Sequence, residues 1–359
     1  MELLVIKTGA LGDVVRTTSI LPGMKARHPA LRVTWLTARG AEDLVRHHPL
    51  VDIVVAIELR DPGSLARVHA ELARPRGSTR WGRVLSLDDE RELCRLAYAV
   101  GGDGSDGVLS GAYETPAGEL RYTPDVAPWF DMGLLSVHGK READRRKLEN
   151  RASHAALYAR MLGIEMGAPE LPLPRAARDF GVAFAERTGV RERRPVIGLN
   201  TGSGGRWESK KLPEDRTVEL AAALARALDG RATFLVCGGP EEAERNARIG
   251  RALDARRLRW VDAGTGNSLL EFTALVAACD LLITSDSLAL HLAVTQRVPI
   301  LAFFAPTPAH EIELYGRGET VHSTAPDYAS YRKDADTSTL TVERLCAAAL
   351  RVLAAHPPR

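Results

Sequence analysis

Four short stretches of this 359-residue chain carry side chains that could do chemistry, and each follows an apolar run. The most informative is late. Leu281-Leu282-Ile283-Thr284 ends in Ser285-Asp286-Ser287, and an apolar, helix-compatible run then extends to Val298-Pro299. That order predicts a buried strand, a tight turn and the start of a helix. The junction puts an acid and free backbone N–H groups at the carboxyl end of a strand, where open α/β sheets bind their ligands. The second stretch is Thr8-Gly9-Ala10-Leu11-Gly12-Asp13, after the apolar Leu3 to Lys7. It reads Gly-x-x-Gly-Asp rather than Gly-x-Gly-x-x-Gly, so the dinucleotide fingerprint is missing. Asp13 has two readings. It is an acid favoured at a helix N-terminus by ~0.3–1 kcal/mol, or a general base held at a sheet edge within reach of a substrate hydroxyl.

The third stretch, Thr201-Gly202-Ser203-Gly204-Gly205, follows Val196 to Asn200. Exposed amides and hydroxyls after a strand are the donors that phosphate needs, and Lys210 and Lys211 could balance its charge. The fourth is Gly238-Gly239-Pro240-Glu241-Glu242, after Ala232 to Cys237. Its acids either favour a first helical turn or accept hydrogen bonds from ribose hydroxyls, as acids after strands do in nucleotide-binding folds.

Positioning these groups takes regular elements. Strand-like and helix-like segments alternate through the chain, including a helix over Val14 to Arg27 interrupted at Pro22-Gly23 and a hairpin around Pro116-Ala117-Gly118. The alternation predicts mostly parallel sheets with helices on both faces. The length suits two α/β domains. The Pro-rich Pro169 to Pro174 reads as a linker, giving domains 1–175 and 176–340. Residues 341–359 form a closing helix, capped by Thr341, that is expected to pack back on the N-terminal domain.

Composition narrows the partners. A net charge of +2 gives no reason to expect nucleic acid. Four scattered cysteines without a Cys-x-x-Cys pair argue against a zinc site or a disulfide scaffold and suit a reducing compartment. The N-terminal apolar run is too short for a signal peptide, and no stretch approaches the ~20 residues of a membrane span. The expected location is the cytoplasm, with room for a peripheral membrane contact. The basic run Lys140-Arg141, Arg145-Arg146-Lys147 and Arg151 lies on a helix; it is a solvated face or a contact for an anionic acceptor.

Taken together, the loops resemble the heptosyltransferase family of glycosyltransferases, family 9. The resemblance rests on Gly-x-x-Gly-Asp at residues 9–13, Asn200-Thr201-Gly202-Ser203 with Lys210 before Leu212-Pro213, Gly238-Gly239-Pro240-Glu241-Glu242-x-Glu244-Arg245, Thr284-Ser285-Asp286-Ser287 before His291-Leu292-Ala293, and Ala305-Pro306-Thr307. It implies a GT-B fold, two Rossmann-like domains with mostly parallel sheets facing across a cleft. It also implies an inverting glycosyltransferase that needs no metal or other cofactor. The implied donor is a nucleotide-sugar, ADP-heptose first, and the acceptor a glycan or lipid-linked hydroxyl, as in lipopolysaccharide biosynthesis.

Residue by residue, the resemblance makes Asp13 the base, with Gly9 and Gly12 forming its turn. Thr201, Gly202, Ser203 and Lys210 would face the donor phosphates, and Glu242 the ribose. Asp286 would hold sugar hydroxyls, with the amides of Ser287 to Ala289 near the phosphates, and His291 beside this loop. Leu288 stands where the family has glycine. Its side chain would narrow the donor pocket, or force a backbone change if the position needs φ > 0. Asp334-Ala335-Asp336 looks like the metal-binding Asp-x-Asp of other glycosyltransferases but lies in a polar tail, and is read as coincidence. Two competing readings are a GT-B sugar-nucleotide epimerase or hydrolase and a non-catalytic nucleotide-sugar binding module.

Overall fold

The computed structural model describes residues 1–74, 80–205 and 207–358. The chain divides into two compact units, Met1–Pro172 and Leu173–Arg359.

The first unit holds strands β1 (Glu2–Ile6), β2 (Arg32–Ala38), β3 (Ile53–Ile57), β4 (Arg83–Ser86), β5 (Leu109–Glu114) and β6 (Leu120–Tyr122) in the order β3-β2-β1-β4-β5-β6. All neighbours are parallel except β5 and β6, which form the expected hairpin. Leu3, Leu4, Val5 and Ile6 are all fully buried. A central parallel strand is covered on both faces, and so it reads as a continuous apolar run.

The helical region after β1 differs from the expectation. The chain does not break at Pro22-Gly23 but between helices Leu11–Thr17 and Ile20–Arg27. At the break Thr18 Oγ1 donates to the Val15 carbonyl at 2.8 Å and Ser19 Oγ to the Arg16 carbonyl at 2.6 Å. These hydroxyls compete for carbonyls the helix would otherwise use. Pro22 falls in the first turn of the second helix, where a missing N–H costs nothing. Gly23 allows close packing, since a Cβ there would lie 2.0 Å from the Glu165 carbonyl oxygen.

The second unit holds β7 (Val196–Asn200), β8 (Thr233–Cys237), β9 (Trp260–Asp262), β10 (Leu281–Ser285), β11 (Ile300–Phe304) and β12 (Gly318–His322), in the order β12-β11-β10-β7-β8-β9, all parallel. Alternate residues feed two cores. Ile197, Leu199, Phe234 and Ile283 face one side, and Val196, Leu235, Leu282 and Ile300 the other. Strand β12 escaped the sequence reading because in Gly-Glu-Thr-Val-His only Val321 is a buried apolar residue. It is an edge strand, with one side left unpaired. The closing helix Val342–Ala355 begins at Thr341, whose hydroxyl accepts from the Arg344 amide. Its buried face, including Leu345, Ala349 and Val352, belongs to the core of the second unit.

In each sheet the strand order reverses once. In the first the reversal lies between β1 and β4, and in the second between β7 and β10. Loops leaving adjacent strands in opposite directions open a crevice at their carboxyl ends, which is where such sheets take ligands. All described residues considered, no helix is long and apolar enough to cross a membrane.

Candidate active site

In the second unit the reversal gathers groups from three strand ends. Asp286 directly follows β10, and Lys210 Nζ donates to its carboxylate Oδ2 at 2.7 Å and to its carbonyl at 2.9 Å. Thr307, after β11, donates its hydroxyl to the same Oδ2 at 2.9 Å. Asn200, the last residue of β7, directs Nδ2 at the Gly202 carbonyl (2.8 Å), Thr284 Oγ1 (3.0 Å) and Ser287 Oγ (3.2 Å). One amide thus ties the loops after β7 and β10 together. The Lys210 ammonium also lies 5.7 Å from the centre of the Trp207 ring, within the range of a cation–π attraction. The Lys210 and Asp286 side chains are 15% and 21% exposed, so the pair is shielded yet still reachable. An ammonium, a carboxylate and hydroxyls at a sheet mouth suit a ligand with phosphate and sugar hydroxyls.

Ser287 is the cap residue of helix Leu288–Thr295 but makes no capping bond to it; its hydroxyl is turned to Thr284 and Asn200. The first helical amides therefore have no side-chain cap, which favours an anion there. Leu288 takes the first helical position, and its φ is not positive. Leucine in place of glycine needs no backbone change, because a helical first turn accepts any L-residue. His291 is buried, on the same helix.

A second cluster surrounds Glu242, whose residue is 3% exposed. Its Oε2 accepts from the Gly239 amide at 3.0 Å, and Lys211 Nζ lies 3.3 Å from Oε1. That contact is an ion pair without hydrogen-bond geometry, since Oε1 has no hydrogen-bond partner among the described residues. Gly202 packs directly on this carboxylate: a Cβ there would sit 2.6 Å from Oε2. Thr201 donates its amide to the Cys237 carbonyl at 3.0 Å, and its hydroxyl lies 2.5 Å from Asn246 Oδ1. Asn246 Nδ2 is buried and has no hydrogen-bond partner among the described residues. The two lysines therefore divide, Lys210 to Asp286 and Lys211 to Glu242 and Glu208. Ser203 closes its loop by donating to the Trp207 carbonyl at 3.2 Å. Arg206, in the same loop, lies outside the described residues.

In the first unit Asp13 is the third residue of helix Leu11–Thr17, just beyond the end of β1. Its carboxylate is 34% exposed and 2.8 Å from Arg16 Nη2. Gly12 precedes it in the helix, and a Cβ on Gly9 would meet nothing within 4 Å, so no neighbour forces glycine there. Beneath this turn Lys7, after β1, is paired with Asp88, after β4, across the reversal. Asp88 Oδ2 also accepts from the Thr8 amide at 2.5 Å and hydroxyl at 2.8 Å. Burial alone would lower the Lys7 pKa; Asp88, helped by Asp13 and Tyr158, outweighs it and raises the pKa above its ordinary value. Tyr158 is pushed up to about 12, mainly by burial.

Asn200, Thr307, Asn246, Lys7 and Asp88 were not singled out from sequence as site residues. Apart from Asn246, each lies at or just beyond a strand's carboxyl end, and that was the available signal; only the strand order says which ends adjoin. The Asp-x-Asp carboxylates are used locally. Asp334 accepts from Arg332 at 3.0 and 3.1 Å, and Asp336 from the Ser338 amide at 2.7 Å.

Known proteins resemble this chain in sequence and fold. Lipopolysaccharide heptosyltransferase 1 of Pseudomonas aeruginosa is 26% identical over 332 residues, 89% of this chain and 82% of that protein. A solved family 9 glycosyltransferase from Veillonella parvula superposes with a TM-score of 0.71 at 18% identity, covering 99% of this chain and 97% of its own. The E. coli ADP-heptose lipopolysaccharide heptosyltransferase II gives a TM-score of 0.69 at 17% identity over the full length of both chains. At such identities the structures speak for the fold alone, two Rossmann-like units of the GT-B type. The profile of glycosyltransferase family 9 (heptosyltransferase) matches residues 140–341, more than half of the chain. With the strand-end loops and their paired charges, this match shows that the chain is a glycosyltransferase belonging to family 9, the heptosyltransferases.

Proposed function

We propose that this enzyme, acting in the cytoplasm, transfers heptose from ADP-heptose to a hydroxyl of a glycan or lipid-linked acceptor in lipopolysaccharide biosynthesis, inverting the anomeric centre without a metal. The observation that carries the reading is the Lys210–Asp286–Thr307 cluster at the β7/β10 reversal, beside a helix whose first amides lack a side-chain cap. Lys210 and those amides would meet the charge that develops on the departing ADP. Asp286 would accept hydrogen bonds from sugar hydroxyls, and Glu242, whose Oε1 has no hydrogen bond among the described residues, from the ribose. Heptose, ADP-heptose and lipopolysaccharide are taken from the heptosyltransferases that this chain resembles.

In the proposed step Asp13 takes the proton of the acceptor hydroxyl while that oxygen attacks C1 of the sugar from the face opposite the phosphate. The C1–oxygen bond to ADP breaks, and its electrons leave on the phosphate. The one-third exposure of the Asp13 carboxylate supports its access to an acceptor. The test is mass-spectrometric transfer with ADP-heptose in the presence of EDTA. Asp13→Asn is expected to keep ADP affinity and lose about 10²–10⁴ in kcat; undiminished turnover would remove Asp13 as the base. Donor consumed without acceptor would instead favour a hydrolase or epimerase. Thermal shifts across ADP-, GDP-, UDP- and dTDP-sugars read the donor by mass action.

A further inference from the structure

Five large apolar side chains are exposed among the described residues, and three of them, Leu134, Val137 and Leu148, fall within residues 134–148. Leu134 is 86% exposed and Val137 73%. Scattered apolar residues need no explanation, but a cluster on one loop and the helix that follows it does. The loop is not slack. Asp131 accepts from Tyr122 Oη at 2.6 Å and from Arg146 Nη1 at 2.8 Å, and pairs with His138 Nε2 at 3.2 Å. Tyr122 Oη in turn accepts from the Val137 amide at 3.1 Å. Polar bonds thus hold a turn whose apolar tips point to water.

Charge identifies what meets them. The following helix, Lys140–Glu149, and the residues after it carry Lys140, Arg141, Arg145, Arg146, Lys147 and Arg151 against Glu142, Asp144 and Glu149. The segment's net charge is +3, more than the +2 of the entire chain. Lys140, Arg145 and Arg146 face acids, but Arg141 makes no ion pair among the described residues. Among the described residues, Arg151 donates only to the Leu148 and Asn150 carbonyls. On the helix, Arg141, Arg145 and Leu148 are spaced i, i+4, i+7 and all are exposed, so cations and an apolar side chain share one face.

We propose that residues 134–151 form a docking surface for an anionic phospholipid bilayer, with Leu134 and Val137 entering the headgroup boundary and Arg141 and Arg151 meeting lipid phosphates. A second copy fits less well. Self-docking would bring two +3 segments together, and a few apolar tips fall short of the ~800 Å² per partner of a stable interface. A membrane asks for less, a few apolar side chains and ~1 kcal/mol from each basic residue near the surface. Docking of this kind requires neither donor nor acceptor, so it goes beyond the transfer reaction.

The test is co-sedimentation of the full chain with vesicles of phosphatidylcholine alone or mixed with phosphatidylglycerol. Partition should favour the mixed vesicles about tenfold or more and fall as salt is raised. Leu134→Ser/Val137→Ser and Arg141→Gln/Arg151→Gln should each lower it about tenfold or more, with ADP binding unchanged as the check on folding. A fluorophore on Val137→Cys, which does not depend on loss of binding, should shift to the blue with mixed vesicles. The proposal is overturned by equal partition onto neutral vesicles, by either folded double variant sedimenting like the wild type, or by an unshifted fluorophore. Self-association abolished by Leu134→Ser/Val137→Ser would assign the surface to a second copy instead.

Discussion

Gly202 offers a sharp test of whether the Glu242 cluster binds the donor. Its backbone does not need glycine, since its φ is not positive. Its neighbour does: a Cβ would lie 2.6 Å from Glu242 Oε2 and 2.8 Å from Cδ. Ordinary contact begins near 3.4 Å, so in Gly202→Ala either the loop or the carboxylate must retreat by most of an ångström. The carboxylate is poorly placed to yield. It is buried, held by the Gly239 amide at 3.0 Å and flanked by Lys211. Losing one hydrogen bond to a charged group costs about 1.5–3 kcal/mol. If Glu242 faces the ribose, that loss should appear as ADP affinity weakened by about 10- to 150-fold, measured by titration calorimetry. Shortening the acid should relieve the clash, so Gly202→Ala/Glu242→Asp should bind more tightly than the two single changes predict together. A Gly202→Ala protein with wild-type ADP affinity, or strictly additive changes in the double variant, would refute the reasoning.

Three further outcomes are expected. Thr307→Val keeps the shape but removes the hydroxyl on Asp286 Oδ2; kcat/KM for transfer should fall about tenfold or more, and an unchanged value would detach Thr307 from the site. Asp88→Asn leaves Lys7 buried beside a neutral partner, at a cost of about 3–5 kcal/mol in denaturant unfolding. Because the Lys7 pKa is raised in the fold, the pair's contribution is fully present below the ordinary lysine value. It is lost as pH climbs through the raised one. Wild-type stability should therefore drop at strongly alkaline pH, and that step should be smaller in Asp88→Asn. Burial pushes the Cys94 and Cys279 thiols up to about 12 and Cys237 well above its usual range. Iodoacetamide at pH 8 should thus modify at most the partly exposed Cys346 in native protein, counted by intact mass, and a second rapid adduct would contradict this packing.

Much of the fold was legible because buried parallel strands must be apolar on both faces. Leu3 to Ile6, Phe234 to Cys237 and Leu281 to Thr284 declare themselves by composition. The Thr341 cap of the closing helix was legible too, since it is built from neighbours in sequence. Strand β12 was not, because an edge strand needs little apolar surface. The break at Thr18-Ser19 was missed because Pro and Gly are the louder local signals, while the hydroxyl bonds that end the helix depend on geometry.

For the site, sequence alone determined the kinds of groups and their places along the chain. It put Asp13, Thr201, Lys210, Glu242 and Asp286 beyond the ends of strands, since polar residues after a buried run must emerge at its end. Tertiary structure decided which of those ends adjoin. Setting β10 between β7 and β11 puts Asp286 within reach of both Lys210 and Thr307. Setting β4 beside β1 brings Asp88 to Lys7 across 81 residues of chain. It also separated Lys210 from Lys211, adjacent in sequence yet facing different acids, because consecutive side chains leave the backbone in different directions. Pairings of this kind depend on strand order, which parallel-sheet packing sets through contacts distant in sequence.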